Sequence, residues 1–383
     1  MSARREPFVL IAAGGTGGHL FPAEALATVL QARGVAVELA TDHRAAPFTN
    51  AFPARDVHVL PADTLRGRSP VALARTAARL SSGTLKGAWL LLSSRPAAVV
   101  GFGGYPTVPP VLAAWLLRVP RVLHEQNAVM GRANRFLAAR ASLIATGYPG
   151  IFSNAPRLAA KAVHTGNPVR KAVRDAANSP YTAPAAGGPI RLVIFGGSQG
   201  ARVMSETVPA AIERLPPALR SRIEVVQQTR PEDLEEVKAS YARLGVPADV
   251  ASFFADLPAK IAQSHLVVAR SGASTVAELA AIGRPSILVP LPHALDQDQL
   301  ANAAALAAAG GALLIRQSDF TAERLSEELG QLLAAPGRLS SMADAARAAG
   351  RVDAAERLAD AVMRIARIDP SPSPLAGEGR GGG

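Results

Sequence analysis

At 383 residues the chain exceeds a single ordinary core, so two domains are expected. It contains no cysteine, which excludes a disulfide framework, a thiolate metal site and a cysteine nucleophile. The net charge of +11 is lopsided: residues 1–180 hold 21 Lys and Arg against 8 Asp and Glu, and the remainder 20 against 22. A basic first half suits an anionic partner (nucleic acid, membrane surface or acidic substrate), or else serves solubility alone.

Phe8 to Ala13 is an apolar run that predicts a buried strand. Gly14, Gly15, Gly17 and Gly18 follow, then an amphipathic run from Pro22 to Arg33 closed by Gly34. Strand, glycine turn and helix aim backbone N–H groups and a positive helix end at an anion. His19 is the titratable side chain of that turn. The run is too short, with glycines after it, to read as a secretory signal behind Arg4 and Arg5.

Strands are predicted at Val35–Ala40, Val57–Leu60 and Ala97–Gly101, with a helix over Pro70–Leu92 broken at Gly83. Alternating strands and helices predict a doubly wound parallel sheet. Arg66, Arg68, Arg75, Arg79 and Lys86 lie near Leu85, Trp89, Leu90 and Leu91, with Trp115 and Leu116 beyond. That pattern fits a face for an anionic membrane, and equally a core stripe with a solvated basic face. Ala97–Leu117 is uncharged, but GFGGYPTVPP splits it, so no membrane span is predicted. Arg121–Leu123 leads into His124-Glu125-Gln126-Asn127, at a strand end where open α/β sheets bind ligands. Ala141–Ala145 is a further strand, and 166–170 a turn.

The pattern restarts after a Pro-, Ala- and Gly-rich linker at 178–189. Arg191–Phe195 is a strand, GGSQGA a turn and Arg202–Leu215 a helix. Ile223–Gln227, Val250–Phe253, Leu266–Ala269 and Ser286–Pro290 are predicted strands. Ser271 or Ser274 is expected to cap a helix that ends at Gly283. A polar loop, His293–Asn302, precedes an Ala-rich helix, and residues 369–383 hold too little apolar surface to pack. The two halves predict one architecture twice, with a cleft between them.

Neither glycine turn fits G-x-G-x-x-G, and neither has the lysine of a nucleotide P-loop. Each is therefore a general anion cradle or a close helix–strand approach. In RSGASTVAE (270–278) the helix start and its hydroxyls suit a phosphate, and Glu278 suits the two hydroxyls of a ribose. Asp296 and Asp298 resemble the carboxylate pair of metal-dependent sugar transferases, a weak signal alone.

GGTGGHLFP (14–22), GFGGYPTVP (101–109), HEQN (124–127) with Gly131 and Asn134, GNPVR (166–170), GGSQGA (196–201) and RSGASTVAE occur in order, then Gln299 and Asn302. As a set they resemble the bacterial MurG family over roughly residues 8–360. The resemblance implies a GT-B fold, two Rossmann-like doubly wound parallel-sheet domains facing across a cleft. An N-terminal acceptor and membrane domain spans 1–177 and is joined by a C-terminal helix at about 350–368. The linker at 178–189, a donor domain at 190–349 and a disordered tail at 369–383 complete the division.

The reaction implied is inverting transfer of GlcNAc from UDP-GlcNAc to the C4 hydroxyl of MurNAc in undecaprenyl-diphospho-MurNAc-pentapeptide (lipid I). The product is lipid II, for peptidoglycan. His19 is expected to be the base, with Glu125 a second candidate or an orienting partner. Donor contacts carried over are Thr16, Gly17, Gly18, Asn127, Arg170, Ser198, Phe254, Gly272, Ala273, Ser274, Thr275, Val276, Ala277, Glu278, Gln299 and Asn302. Asp298 departs from the family pattern.

No cofactor and no metal are implied, since helix ends and Arg170 would meet the diphosphate. Expected partners are UDP-GlcNAc, lipid I, an anionic phospholipid surface, and cell-wall synthesis and division proteins, at the cytoplasmic face of the cell membrane as a peripheral protein. Another GT-B enzyme with a different lipid acceptor is the nearest alternative. A nicotinamide oxidoreductase is disfavoured by both failed fingerprints. Nucleic acid is not expected, with 4% aromatic residues and no recognised module.

Overall fold

A computed structural model describes residues 6–14, 17–45, 52–62, 69–197 and 200–369. Thr16, Ser198, Arg66, Arg68 and tail residues 370–383 lie outside the described residues. The chain forms two compact units: Met1–Gln126, Met130–Pro168 and Asp353–Gly383 make the first, and Asn127–Val129 with Val169–Val352 the second.

Unit 1 is built on β1 (Phe8–Ala12), β2 (Ala36–Thr41), β3 (Asp56–Val59), β4 (Ala98–Gly101), β5 (Arg121–Glu125), β6 (Leu143–Thr146) and β7 (Ala162–His164). All pair in parallel, in the order β3-β2-β1-β4-β5-β6-β7. Unit 2 is built on β8 (Ile190–Phe195), β9 (Ile223–Gln228), β10 (Ala248–Ala251), β11 (Leu266–Ala269), β12 (Ser286–Leu288) and β13 (Ala312–Leu314). Its parallel order is β10-β9-β8-β11-β12-β13.

In each sheet the order reverses beside the first strand, between β1 and β4 and between β8 and β11. Crevices at such reversals are where open α/β sheets hold ligands. The described residues that leave those strand ends include Ala13 and Gly14, Phe102–Gly104, Gly196 and Gly197, and Arg270–Gly272, which places the glycine-rich motifs at the crevices.

Every residue of β1 is buried, because helices cover both faces of the sheet. Val9 and Ile11 point to one core, with Leu26 and Leu30 of helix Gly17–Ala32 and Leu358 and Val362 of helix Ala354–Ala366. Phe8, Leu10 and Ala12 point to the other, with Leu91, Val111 and Leu137. The last helix thus returns to unit 1, where Asp360 accepts from Arg33 Nη1 at 2.6 Å.

Several expectations need correction. The helix predicted from Pro22 begins at Gly17, inside the glycine run. Helix Pro70–Ser94 is unbroken at Gly83. A Cβ there would lie 2.0 Å from the Pro61 carbonyl oxygen, so glycine permits a close crossing instead of a break. Leu90 and Leu91 are core, while Leu85 and Trp89 are 72% and 73% exposed.

Ala97–Leu117 divides into β4, a turn and helix Val108–Leu116. No helix among the described residues is long and apolar enough to cross a membrane. Helix Lys171–Ala177 belongs to unit 2, ahead of the expected boundary at 177. Segment 178–189 is fastened there too: Tyr181 donates to the His265 carbonyl, and Arg222 to those of Gly188 and Ala185.

His124, at the end of β5, is fully buried against the Phe102 ring and donates through Nε2 to the Gly166 carbonyl at 3.1 Å. Burial takes its pKa from 6.5 down to about 4, partly opposed by that bond. The unfolded chain therefore binds the extra proton first, so stability falls as pH drops from about 6.5 towards 4. The expected loss at this site is on the order of 3 kcal/mol, checked by urea unfolding across that range against His124→Gln.

Candidate active site

In unit 1 three separate motifs meet at one carbonyl, that of Phe102. His19 Nδ1 lies 2.9 Å from Phe102 O, and Gln126 Nε2 donates to the same oxygen at 2.9 Å. A carbonyl only accepts, so Nδ1 carries the proton and Nε2 the lone pair. Nε2 makes no hydrogen bond among the described residues. The 3.4 Å approach of Gln126 Nε2 to Nδ1 sets two donors side by side on one acceptor. The imidazole is half-buried, and burial lowers its pKa below 6.5 against the opposing pull of the Phe102 bond. Burial thus favours the neutral ring.

The turn holding Phe102 is a product of its glycines. Gly103 and Gly104 take φ of +83° and +72°, a region open to glycine. A Cβ on either would lie 3.5 Å or less from the His19 ring. Thr107 Oγ1 closes the turn by donating to Gly103 O at 2.7 Å.

Gln126 is held from behind by Asn167 of GNPVR, whose Nδ2 donates to the Gln126 carbonyl at 2.8 Å. Gly147 leaves the space for that amide, since a Cβ there would come within 2.1 Å of Asn167 Oδ1. Glu125 is buried, and its Oε2 accepts from Gly131 N at 3.0 Å and Asn134 Nδ2 at 2.9 Å. Its carboxylate thus braces the loop that carries Gln126 and Asn127. Gly17 is buried and covered by the Phe21 ring, and Gly18 is exposed.

In unit 2, Gly272 precedes helix Ala273–Ile282, and no side chain caps it. The expected serine cap is absent because Ser271 Oγ donates instead to Gln299 O at 2.8 Å. The start of this helix presents its first-turn N–H groups, with Ser274 and Thr275 half-buried beside them. Val276 packs into the core and Ala277 is half-buried.

Glu278, one turn in, is buried, with Arg170 Nη2 3.4 Å from its Oε1. Burial pushes the carboxyl pKa up and the guanidinium pulls it back. Phe254 is half-buried under the Lys260 ammonium, 5.0 Å above its ring.

Asn302 is wholly engaged: Oδ1 accepts from Ala128 N at 2.8 Å, and Nδ2 donates to Asn127 Oδ1 at 3.0 Å and Ser271 O at 3.3 Å. Buried, it holds the Asn127 loop through its amide nitrogen and its carbonyl oxygen. Gln299 Oε1 accepts from Leu291 N at 3.1 Å, which leaves its amide hydrogens for other acceptors. Asp298 accepts from Gln299 N at 2.7 Å, and burial and nearby Asp296 raise its pKa.

The model for the glycosyltransferase family 28 N-terminal domain matches residues 9–146, and that for the family 28 C-terminal domain matches 191–358. An enzyme of Rhodopseudomonas palustris strain BisB18 named UDP-N-acetylglucosamine–N-acetylmuramyl-(pentapeptide) pyrophosphoryl-undecaprenol N-acetylglucosamine transferase is 58% identical over 96% of this chain and 98% of its own. Its namesake in strain CGA009 is 60% identical over 94% and 99%.

The chain belongs to the MurG family.

The crystal structure of Acinetobacter baumannii MurG agrees at 29% identity and a TM-score of 0.77, covering 94% of this chain and 99% of that one. A Neisseria meningitidis UDP-GlcNAc 2-epimerase, at 14% identity and a TM-score of 0.62 over 93% and 99%, shares the fold alone. Within the family's pattern, Phe102, Gln126, Asn134 and Asn167 are the residues that sequence reasoning passed over as site members. Each lies inside or just beyond one of the sequence motifs, but only the folded chain makes them one hydrogen-bonded series.

Proposed function

We propose that the chain transfers N-acetylglucosamine from UDP-GlcNAc to lipid I, giving lipid II. The observation that carries this reading is identity of 58–60% over at least 94% of the chain to enzymes with that name. The chemistry is a single displacement with inversion. The C4 hydroxyl of the muramoyl sugar attacks the anomeric carbon, and the bond to the UDP oxygen breaks with its electron pair leaving on the diphosphate. The hydroxyl proton goes to His19 Nε2, a role supported by the lone pair that the Phe102 bond leaves there. Glu125 acts through the loop it braces.

On the donor side, the helix start at Gly272–Thr275 offers N–H groups to the diphosphate. Glu278 accepts from the ribose hydroxyls, with the Arg170 guanidinium opposing the upward push of burial on its carboxyl. Phe254 stands beside the base, and Gln299 offers its amide to the sugar. Gly17, Gly18, Asn127, Ala273, Ser274, Val276, Ala277 and Asn302 complete the set, with Thr16 and Ser198 from outside the described residues. UDP release tests the reading: rapid with lipid I, and at background with other polyprenyl-diphosphate sugars. Equal turnover of those acceptors favours a related enzyme of different acceptor.

Peripheral attachment to the cytoplasmic face of the cell membrane is part of the proposal. Leu85, Trp89 and Leu92 are exposed on helix Pro70–Ser94, and Trp115 and Leu116 on the helix packed against it. Arg140 lies 5.1 Å from the Trp115 ring and 5.0 Å from that of Phe136. Apolar rings among cations suit an anionic surface. Binding to phosphatidylglycerol vesicles is expected to weaken as salt rises from 50 to 500 mM (on the order of the range over which surface charge is screened). Trp89→Ser is expected to reduce it further in co-sedimentation.

A further inference from the structure

The C-terminal end of helix Lys171–Ala177 is held by a group of bonds that the proposed donor site does not use. Arg284 is 1% exposed and donates to the carbonyls of Ala262, Ile282, Gly283 and Ser179. Arg347, on helix Pro336–Ala349, donates from Nη1 to Ala177 O at 3.0 Å, and from Nη2 to Ser179 O at 3.2 Å and Ile282 O at 3.1 Å. Neither guanidinium has an ion pair among the described residues.

Two like charges meeting without a carboxylate are costly. Burial, with Arg347 nearby, brings the pKa of Arg284 down to about 10. What holds them is carbonyl oxygen at the negative ends of two helices, Lys171–Ala177 and Ala273–Ile282.

At the other end of the first helix stands Arg170, whose contact with Glu278 is 3.4 Å. Charge-assisted bonds are usually ~2.7–2.9 Å, so this contact is a long one, sensitive to where the helix lies along its axis. A slip of one residue would move Arg170 by ~1.5 Å along the axis. The bonds at the carbonyl end oppose such a slip, together with the packing of buried Val173, Ala176 and Ala177.

We propose that Arg284 and Arg347 are positioning residues for nucleotide recognition, fastening the carbonyl ends of these two helices so that Arg170 meets Glu278. The proposal rests on the assignment of Glu278 to the ribose, and its test separates the two. KM and kcat are measured on the full chain with UDP-GlcNAc and with its 2′,3′-dideoxyribose analogue, for wild type, Arg347→Met and Arg347→Lys. Arg347 is exposed, so the fold is expected to survive, and thermal melting checks it.

Wild type is expected to show a KM about tenfold higher for the analogue. Arg347→Met is expected to raise KM for UDP-GlcNAc about five- to tenfold with kcat little changed, and to leave KM for the analogue where it was. Arg347→Lys recovers part of the loss. An equal penalty on both donors, or none on either, overturns the proposal alone. A wild type that does not distinguish the donors overturns the ribose assignment and the proposal with it.

Discussion

His19→Asn is expected to lower kcat by ~10²–10⁴ while KM for UDP-GlcNAc stays within about twofold. Asparagine suits the test because its amide sits where Nδ1 does and can still donate to the Phe102 carbonyl, 2.9 Å away in the native chain. The turn is thereby kept and only the Nε2 lone pair is lost. In the wild type the working species is the neutral ring, and burial places its pKa below 6.5. Activity should therefore climb with pH through a value below 6.5, then level off above it. That acid limb should be missing in the variant. Near-normal kcat with a raised KM would assign His19 to substrate positioning and remove it as the base.

Glu278→Ala is the second large effect, and it falls on binding. Hydrogen bonds to a charged group contribute about 1.5–3 kcal/mol, so a loss of about 10- to 100-fold in UDP affinity is expected. The preference for UDP over its 2′,3′-dideoxy counterpart should vanish in the same variant. Glu278→Gln keeps the shape but offers one acceptor oxygen in place of two, and should fall between. Calorimetric titration with both nucleotides checks this. Unchanged discrimination would mean that the ribose is read elsewhere and that the Arg170 contact is structural.

Much of the fold was legible from apolar runs and their punctuation. Phe8–Ala12, Ile190–Phe195 and Leu266–Ala269 are continuous apolar or nearly apolar strands, as sheets covered on both faces require. Gly283 marks a helix end because it takes φ +69°, and it was read correctly. Ala162–His164 and Ala312–Leu314 were missed, since three residues are too few to show a period. Gly83 was misread as a break, because what it accommodates is the Pro61 backbone, distant in sequence.

The chain by itself determined the family and the pairing of glycine turns with strand ends, because these depend on local spacing and order. Which nitrogen of His19 holds the proton is decided by a carbonyl 83 residues away. That Asn302 braces a loop is decided by Asn127 and Ala128, about twice as far away. The absence of a serine cap before Ala273 is decided by the Gln299 carbonyl. In each case a side chain with several possible partners takes the one that folding brings within 3 Å. Hydrogen bonds are short and directional, so their choice belongs to the tertiary structure.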